Sequence, residues 1–145
     1  MLFSFFMYND YDQLRKFSSE ISQLVKYIYF NNLVRAEQEL VLLKNKLEKF
    51  GEIGNGFFNA IKGVYVAMKE KDKIAFFTRV YRYESPEKIR ELADNFKNEI
   101  FRSTIDDYER GYLLCWEIIL RTLSELKEQY PEYLLKEENT EPTSK

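Results

Sequence analysis

The sequence contains no histidine and only one cysteine, Cys115, in 145 residues. The absence of histidine excludes most catalytic triads, most zinc sites and the Glu-x-x-His ligand pairs of di-iron bundles. A single cysteine excludes an internal disulfide and a zinc site built from cysteines, and it favours an intracellular protein. We therefore expect a protein that is not an enzyme and that holds no cofactor and no metal.

The chain also lacks a long uninterrupted apolar segment. Residues 1–8 are mostly apolar, but no basic residues precede them and they are too short to span a bilayer. No later segment reaches about 18 uncharged apolar residues, the length that a membrane helix needs. The sequence therefore predicts a soluble protein that is not secreted and has no membrane partner.

Charge of neither sign dominates, since the formal net charge is −2. The whole chain therefore creates no strong field for nucleic acid or membrane. The distribution is uneven, however, because residues 60–83 hold six bases against two acids, and residues 101–145 hold ten acids against six bases. These two regions, with net charges of +4 and −4, are candidates for charged interfaces.

Apolar residues recur at spacings of three and four through most of the chain, which is the pattern of helices that pack against one another. The longest stripe runs from Ile105 to Tyr130, and Pro131 is expected to end that helix. Within it, Cys115 is expected to be a small buried apolar side chain, and Gly111 to mark a close backbone approach. We predict that the rest of the fold is organised around this helix.

The remaining stripes predict the other helices of an all-α bundle. They lie at residues 14–28, 33–50, 57–68, 74–81 and 89–100. The first two should form an antiparallel hairpin, because only two asparagines join them. Residues 51–56, which hold three of the five glycines, are interpreted as a flexible loop.

The predicted architecture is about four main helices in antiparallel hairpins, with one or two short helices between them. Ser85, followed by Pro86 and Glu87, is a clear start signal for one of the main helices. Residues 1–135 are predicted to form this single domain. Residues 136–145 are polar and contain a proline, so we expect a disordered tail.

Aromatic residues are over-represented, since 11 Tyr and 12 Phe raise the aromatic content to 17%. A core accommodates phenylalanine readily, but each buried tyrosine hydroxyl needs a hydrogen-bond partner. Tyrosine and arginine are also enriched at the centres of protein interfaces. We therefore predict that a protein partner binds a set of exposed aromatic residues with one arginine: Tyr27, Tyr29, Phe30, Tyr81, Arg82 and Tyr83.

The basic region is a second candidate interface, this time for nucleic acid. In this interpretation the cations hold phosphates while a tyrosine stacks on a base. The modest local charge and the lack of a recognition-helix signature favour a solvated surface instead. The basic candidates are Lys69, Lys71, Lys73, Arg79 and Arg82, and the aromatic residues among them are Phe76, Phe77, Tyr81 and Tyr83.

The combination of features resembles the small helical-bundle proteins of the two-tailed spindle-shaped viruses of acidophilic archaea. The resemblance is carried by the hairpin stripes Leu14 to Ile28 and Leu33 to Phe50, the tyrosine-rich composition, the absence of histidine and the single cysteine. That group includes virion structural proteins and a relative that inhibits the host RNA polymerase. The resemblance implies an intracellular viral protein in the host cytoplasm, or a component of the virion.

For function, the resemblance implies an inhibitor that lodges in the DNA-binding channel of archaeal RNA polymerase and hinders promoter binding and clamp movement. Because that channel holds DNA, it is electropositive, and an occupant should present acids to it. The candidate acids lie in the C-terminal third of the chain: Glu125, Glu128, Glu132, Glu137, Glu138 and Glu141. Two alternatives stay open: a nucleic-acid-binding or ribonucleoprotein subunit that uses the basic region, and a virion structural protein that self-associates through exposed aromatic residues.

Overall fold

The structure, a computed structural model, describes residues 10–131. The predicted all-α fold is confirmed, since six helices and no strand occur in this part of the chain. The helices are α1 (Ser18–Tyr29), α2 (Leu33–Leu47), α3 (Gly51–Lys69), α4 (Phe76–Tyr83), α5 (Pro86–Ile100) and α6 (Asp107–Gln129). A short helical segment at residues 10–15 precedes α1, and a 3-10 turn (Glu48–Phe50) joins α2 to α3. The predicted tail at 136–145 lies outside the described residues.

Helix α6 is the centre of the bundle, as the sequence predicted. It contacts α1, α3 and α5, and all seven residues from 114 to 120 are buried. Seven consecutive residues cover every side of a helix, so α6 is surrounded by other helices along its middle. It starts where the Asp106 carboxylate accepts a hydrogen bond from the Glu109 backbone N–H at 2.8 Å. It ends at Gln129, two residues before Pro131.

Helices α1 and α2 form the predicted hairpin. Asn31 adopts a positive φ of 62° in the short connection, and the Asn32 side chain caps α2. Lys46 near the end of α2 forms an ion pair of 2.9 Å with Glu20 near the start of α1, so the two helices are antiparallel. The prediction of one continuous helix over 14–28 was wrong. The Ser18 hydroxyl donates to the Arg15 carbonyl, and the chain turns between the two helical segments.

The glycine-rich segment 51–56 is helical, which corrects its interpretation as a flexible loop. Only Gly51 has the left-handed φ, +65°, and it makes the turn into α3. At Gly54 and Gly56, backbone from elsewhere in the chain lies so close that a side chain would not fit. A Cβ on Gly54 would lie 2.5 Å from the Leu47 carbonyl oxygen, and one on Gly56 would lie 1.9 Å from the carbonyl oxygen of Tyr108 in α6.

Helix α5 returns antiparallel to α6. The Ser85 hydroxyl accepts the Lys88 N–H at 3.1 Å, which confirms the predicted helix start. Arg121 of α6 pairs with Asp94 in the middle of α5, at 2.9 Å. From the first turn of α6, the buried Arg110 guanidinium donates to the carbonyl oxygen of Ile100, where a cation also complements the negative end of α5.

Candidate functional site

A cluster of aromatic residues lies where α1, α4 and α6 end. The Tyr29 ring packs edge-on against Tyr81, with ring centroids 5.5 Å apart, and the Phe30 ring packs in the same way against Tyr130, at 5.2 Å. The Tyr29 hydroxyl donates to the Tyr130 backbone carbonyl at 3.0 Å. We call these four residues, together with Tyr83 at the end of α4, the aromatic end.

Local sequence signals place these residues together. Helix α1 stops at Tyr29 because Asn31 turns the chain with its positive φ, and α6 stops before Pro131. The Lys127 ammonium donates to the Glu84 carbonyl at 2.6 Å, which fixes the end of α4 beside the last turns of α6. The three helix ends therefore meet on one side of the bundle.

The aromatic end has a buried layer and an exposed layer. Tyr29 and Tyr81 are 0% and 1% exposed, so the prediction that they contact a partner was wrong. Helix α4 covers the side of Tyr29 that the α1 stripe leaves open, and the Tyr29 hydroxyl finds its acceptor in the backbone of Tyr130. Phe30, Tyr83 and Tyr130 are exposed, at 38%, 75% and 44%.

The other predicted aromatic residue, Tyr27, lies between α1 and α2. It is half-buried, and the Arg35 guanidinium of α2 lies over its ring at 5.4 Å from the centroid. Tyr130, in contrast, was assigned to the apolar stripe of α6, and the structure exposes it at the C-terminal end of that helix. Its position directly before Pro131 was the signal that could have predicted its exposure, since a residue at the end of a helix has fewer neighbours around it than a residue in the middle.

The basic candidates are mostly exposed, but three of the four aromatic residues among them are not. Lys69, Lys71, Lys73 and Arg79 are exposed and Arg82 is half-buried. Phe76 packs on Trp116 with ring centroids 5.2 Å apart, and Phe77 stacks on Tyr81 at 6.0 Å. Only Tyr83 of the four aromatic residues in this region is accessible to a base. The stacking partners that the nucleic-acid interpretation needs are therefore mostly in the core.

Of the predicted acidic candidates, Glu132, Glu137, Glu138 and Glu141 lie outside the described residues. In the described part of the acidic region, Glu125 and Glu128 are exposed on the last turns of α6. Glu128 forms a surface ion pair with Arg90 of α5 at 3.2 Å. Within residues 10–131, no helix is both long and apolar enough to cross a membrane.

One charged cluster was not predicted. Glu117 in the middle of α6 is 1% exposed, and its two oxygens accept from Arg15 at 3.0 Å and Arg121 at 2.9 Å. Burial alone would lower the pKa of Arg121, but hydrogen bonds to Glu117 and Asp94 raise it overall. Both carboxylate oxygens accept from guanidinium groups, so the cluster joins the segment at residues 10–15 to α6.

No protein-family model, no curated protein and no solved structure matches the chain. The functional interpretation therefore depends on the chain's own surfaces. Among them, the aromatic end combines exposed rings with direct packing between rings, since Phe30 contacts both Tyr29 and Tyr130.

Cys115 is buried, and we expect it to react with a thiol reagent only when the protein unfolds. Burial raises the pKa of the Cys115 thiol well above its ordinary value, although a hydrogen bond to the Ile61 backbone opposes the rise. The folded state therefore keeps a proton that the unfolded thiol loses above its own pKa, so the free energy of unfolding falls as the pH rises above the pKa of the unfolded thiol. Iodoacetamide labelling at pH 8, followed by mass spectrometry, should give no adduct without denaturant and one adduct with it. Rapid labelling of the folded protein would contradict the burial.

Proposed function

We propose that the chain is a non-enzymatic protein-binding bundle and that the aromatic end contacts its partner. The observation that carries the proposal is the exposure of Phe30, Tyr83 and Tyr130 at one end of the bundle. Aromatic side chains of this kind dominate the energy of protein interfaces, because they bury a large area and Tyr keeps a polar group for hydrogen bonding.

The packing beneath the exposed rings supports the proposal. Phe30 is in edge-on contact with both Tyr29 and Tyr130, at 5.1 and 5.2 Å between ring centroids. Such contacts restrict the rings before a partner arrives. A surface that is already ordered loses less side-chain entropy on binding, so more of the burial energy remains as affinity.

In its most concrete form, the partner is the DNA-binding channel of archaeal RNA polymerase, and the protein is a viral inhibitor that represses transcription. This form is supported by the resemblance in sequence and by the exposed Glu125 and Glu128 on the same helix end as Tyr130. Acids beside an aromatic contact would suit an electropositive channel, since complementary charge speeds association and fixes orientation.

The alternatives receive less support from the geometry. A nucleic-acid-binding subunit would use Lys69, Lys71 and Lys73, which are exposed but have only Tyr83 as an accessible ring nearby in sequence. A virion structural protein would self-associate through the exposed aromatic residues, and the same aromatic end would then face another subunit. Each alternative predicts a different bound species.

Replacing Tyr83 or Phe30 by alanine should weaken binding to purified archaeal RNA polymerase by about thirtyfold or more, because each removes a large exposed aromatic side chain from the proposed contact surface. Tyr83 is 75% exposed, so its removal should leave the thermal midpoint nearly unchanged. The matched control is Ile74→Ala, an apolar residue that is 80% exposed and precedes α4. Binding by titration with labelled protein measures the effect. Equal affinities for the three variants and the wild type would contradict a role of the aromatic end.

A pull-down from archaeal extract, with and without nuclease, separates the alternatives. Recovery of RNA polymerase subunits after nuclease treatment would support the inhibitor. Recovery of proteins only from extract without nuclease would favour the nucleic-acid alternative, and it would contradict the proposal that the aromatic end binds the partner. The Tyr83→Ala variant in parallel distinguishes specific capture from adhesion to the resin.

A further inference from the structure

Helix α2 has a second face that nothing in the described bundle covers. Its core face is formed by Ala36, Leu40, Leu43 and Leu47, which pack towards α1 and α3. On the other side, Val34, Val41 and Leu42 are 72%, 61% and 55% exposed. Single exposed apolar residues are ordinary, but three within nine positions of one helix are a local concentration of exposed apolar side chains.

The exposed residues follow the spacing of a helix-pairing seam. Val34, Gln38, Val41 and Asn45 are separated by four, three and four residues and are all exposed. At about 100° per residue they form one stripe, roughly opposite the core face, and this is the a and d pattern of a coiled coil. Polar residues at alternating seam positions lower stability but specify how helices pair. We call these four residues the outer seam.

The charges beside the outer seam decide its partner. Glu37 and Lys44 are exposed and flank it on one side, while Arg35 and Leu42 flank it on the other. If a second copy of α2 lies antiparallel along the seam, Gln38 faces Val41 of that copy and Val34 faces Asn45. In this register Glu37 lies beside Lys44 of the second copy, and by the two-fold symmetry Lys44 lies beside its Glu37. The seam is therefore complementary in charge to itself.

A parallel pairing lacks this complementarity. In a parallel pair, a residue that flanks the seam faces the residue five positions later in the second copy. Lys44 would then lie near Lys49 of that copy, and Glu37 would lie against its Leu42. In the antiparallel register, the aliphatic part of Arg35 covers Leu42 of the second copy instead. We infer that α2 mediates an antiparallel homodimer of this chain through the outer seam. This interface is separate from the aromatic end and does not depend on the proposed function.

The size of the seam sets the strength of the dimer. From Val34 to Asn45 the helix rises by about 17 Å, so the buried area belongs to the smallest class of specific interfaces. A reversible dimer is expected, with monomer at low concentration and dimer at high concentration. Sedimentation velocity of the full chain from about 1 to about 500 micromolar covers the range in which such interfaces dissociate.

Charge exchange tests the pairing directly. The two-fold axis creates two equivalent pairs between position 37 of one copy and position 44 of the other. Glu37→Lys makes both pairs lysine with lysine, and Lys44→Glu makes both pairs glutamate with glutamate. Each should weaken dimerisation by about tenfold or more, since like charges then meet at both symmetric positions. The double variant Glu37→Lys with Lys44→Glu should return the affinity to within about threefold of wild type. An equimolar mixture of the two single variants should form heterodimers.

Two exposed charges away from α2 provide controls. Glu125→Lys and Lys73→Glu alter the net charge by the same amounts as the test variants and should leave dimerisation unchanged. Thermal unfolding of each variant confirms that the fold is intact. A wild-type protein that stays monomeric throughout the concentration range would overturn the inference. So would a double variant that dimerises no better than the single variants, because the seam would then not pair in the antiparallel register.

Discussion

Replacing Gly56 or Gly111 by alanine is expected to destabilise the protein by about 3 to 5 kcal/mol, among the largest effects of any single methyl group in this chain. The two glycines lie where α3 and α6 cross. A Cβ on Gly56 would lie 1.9 Å from the Tyr108 carbonyl oxygen, and a Cβ on Gly111 would lie 1.9 Å from the Ile53 carbonyl oxygen. Backbone cannot rotate away as a side chain can, so the helices would have to separate and open the core between them.

Thermal unfolding followed by circular dichroism measures this effect, with an expected fall in midpoint of roughly 10 to 20 °C. Gly63→Ala is the matched control, because Gly63 lies in the same helix α3, is exposed and has nothing within 4 Å of a Cβ. There the methyl group should raise the free energy of unfolding by about 0.5 to 1 kcal/mol, since alanine favours the helix more than glycine does. Similar effects at Gly56 and Gly63 would contradict the close crossing.

The same glycines explain why the sequence predicted one close approach and missed the other. Gly111 interrupts a strong apolar stripe, so a packing reason for it was visible in the local pattern. Residues 51–56 have three glycines without such a stripe, and a segment of this kind usually forms a loop. The contact that makes Gly56 useful in a helix comes from Tyr108, 52 positions later in the chain. No local pattern carries that information.

Burial of tyrosine was unpredictable for a related reason. The α1 stripe accounts for residues such as Leu24 and Ile28, and Tyr29 lies to one side of it. Whether that side is exposed depends on α4, whose packing cannot be inferred from α1 alone. The helix start at Ser85, in contrast, was predicted correctly, because capping is a contact between residues three apart. The fold class follows from local patterns, whereas the surface that binds a partner follows from how the helices meet.

Removing both arginines that hold Glu117 is expected to cost about 3 to 5 kcal/mol at neutral pH. In the variant Arg15→Met with Arg121→Met, the carboxylate in the middle of α6 would stay buried without a cation, and its desolvation would no longer be offset. Urea unfolding at about pH 7 measures this loss.

Two further variants separate the charge from the packing. Adding Glu117→Leu to the two methionine substitutions replaces the whole cluster by apolar side chains of similar size, and most of the lost stability should return, because buried ion pairs contribute little beyond an apolar equivalent. Arg90→Met removes the surface pair with Glu128, where both side chains are substantially exposed, and should cost less than about 1 kcal/mol. If the triple variant stayed as unstable as the double, Glu117 would be important for its shape rather than its charge. Recovery would show that the double variant loses stability through the unpaired buried charge of Glu117 rather than through the missing arginine side chains.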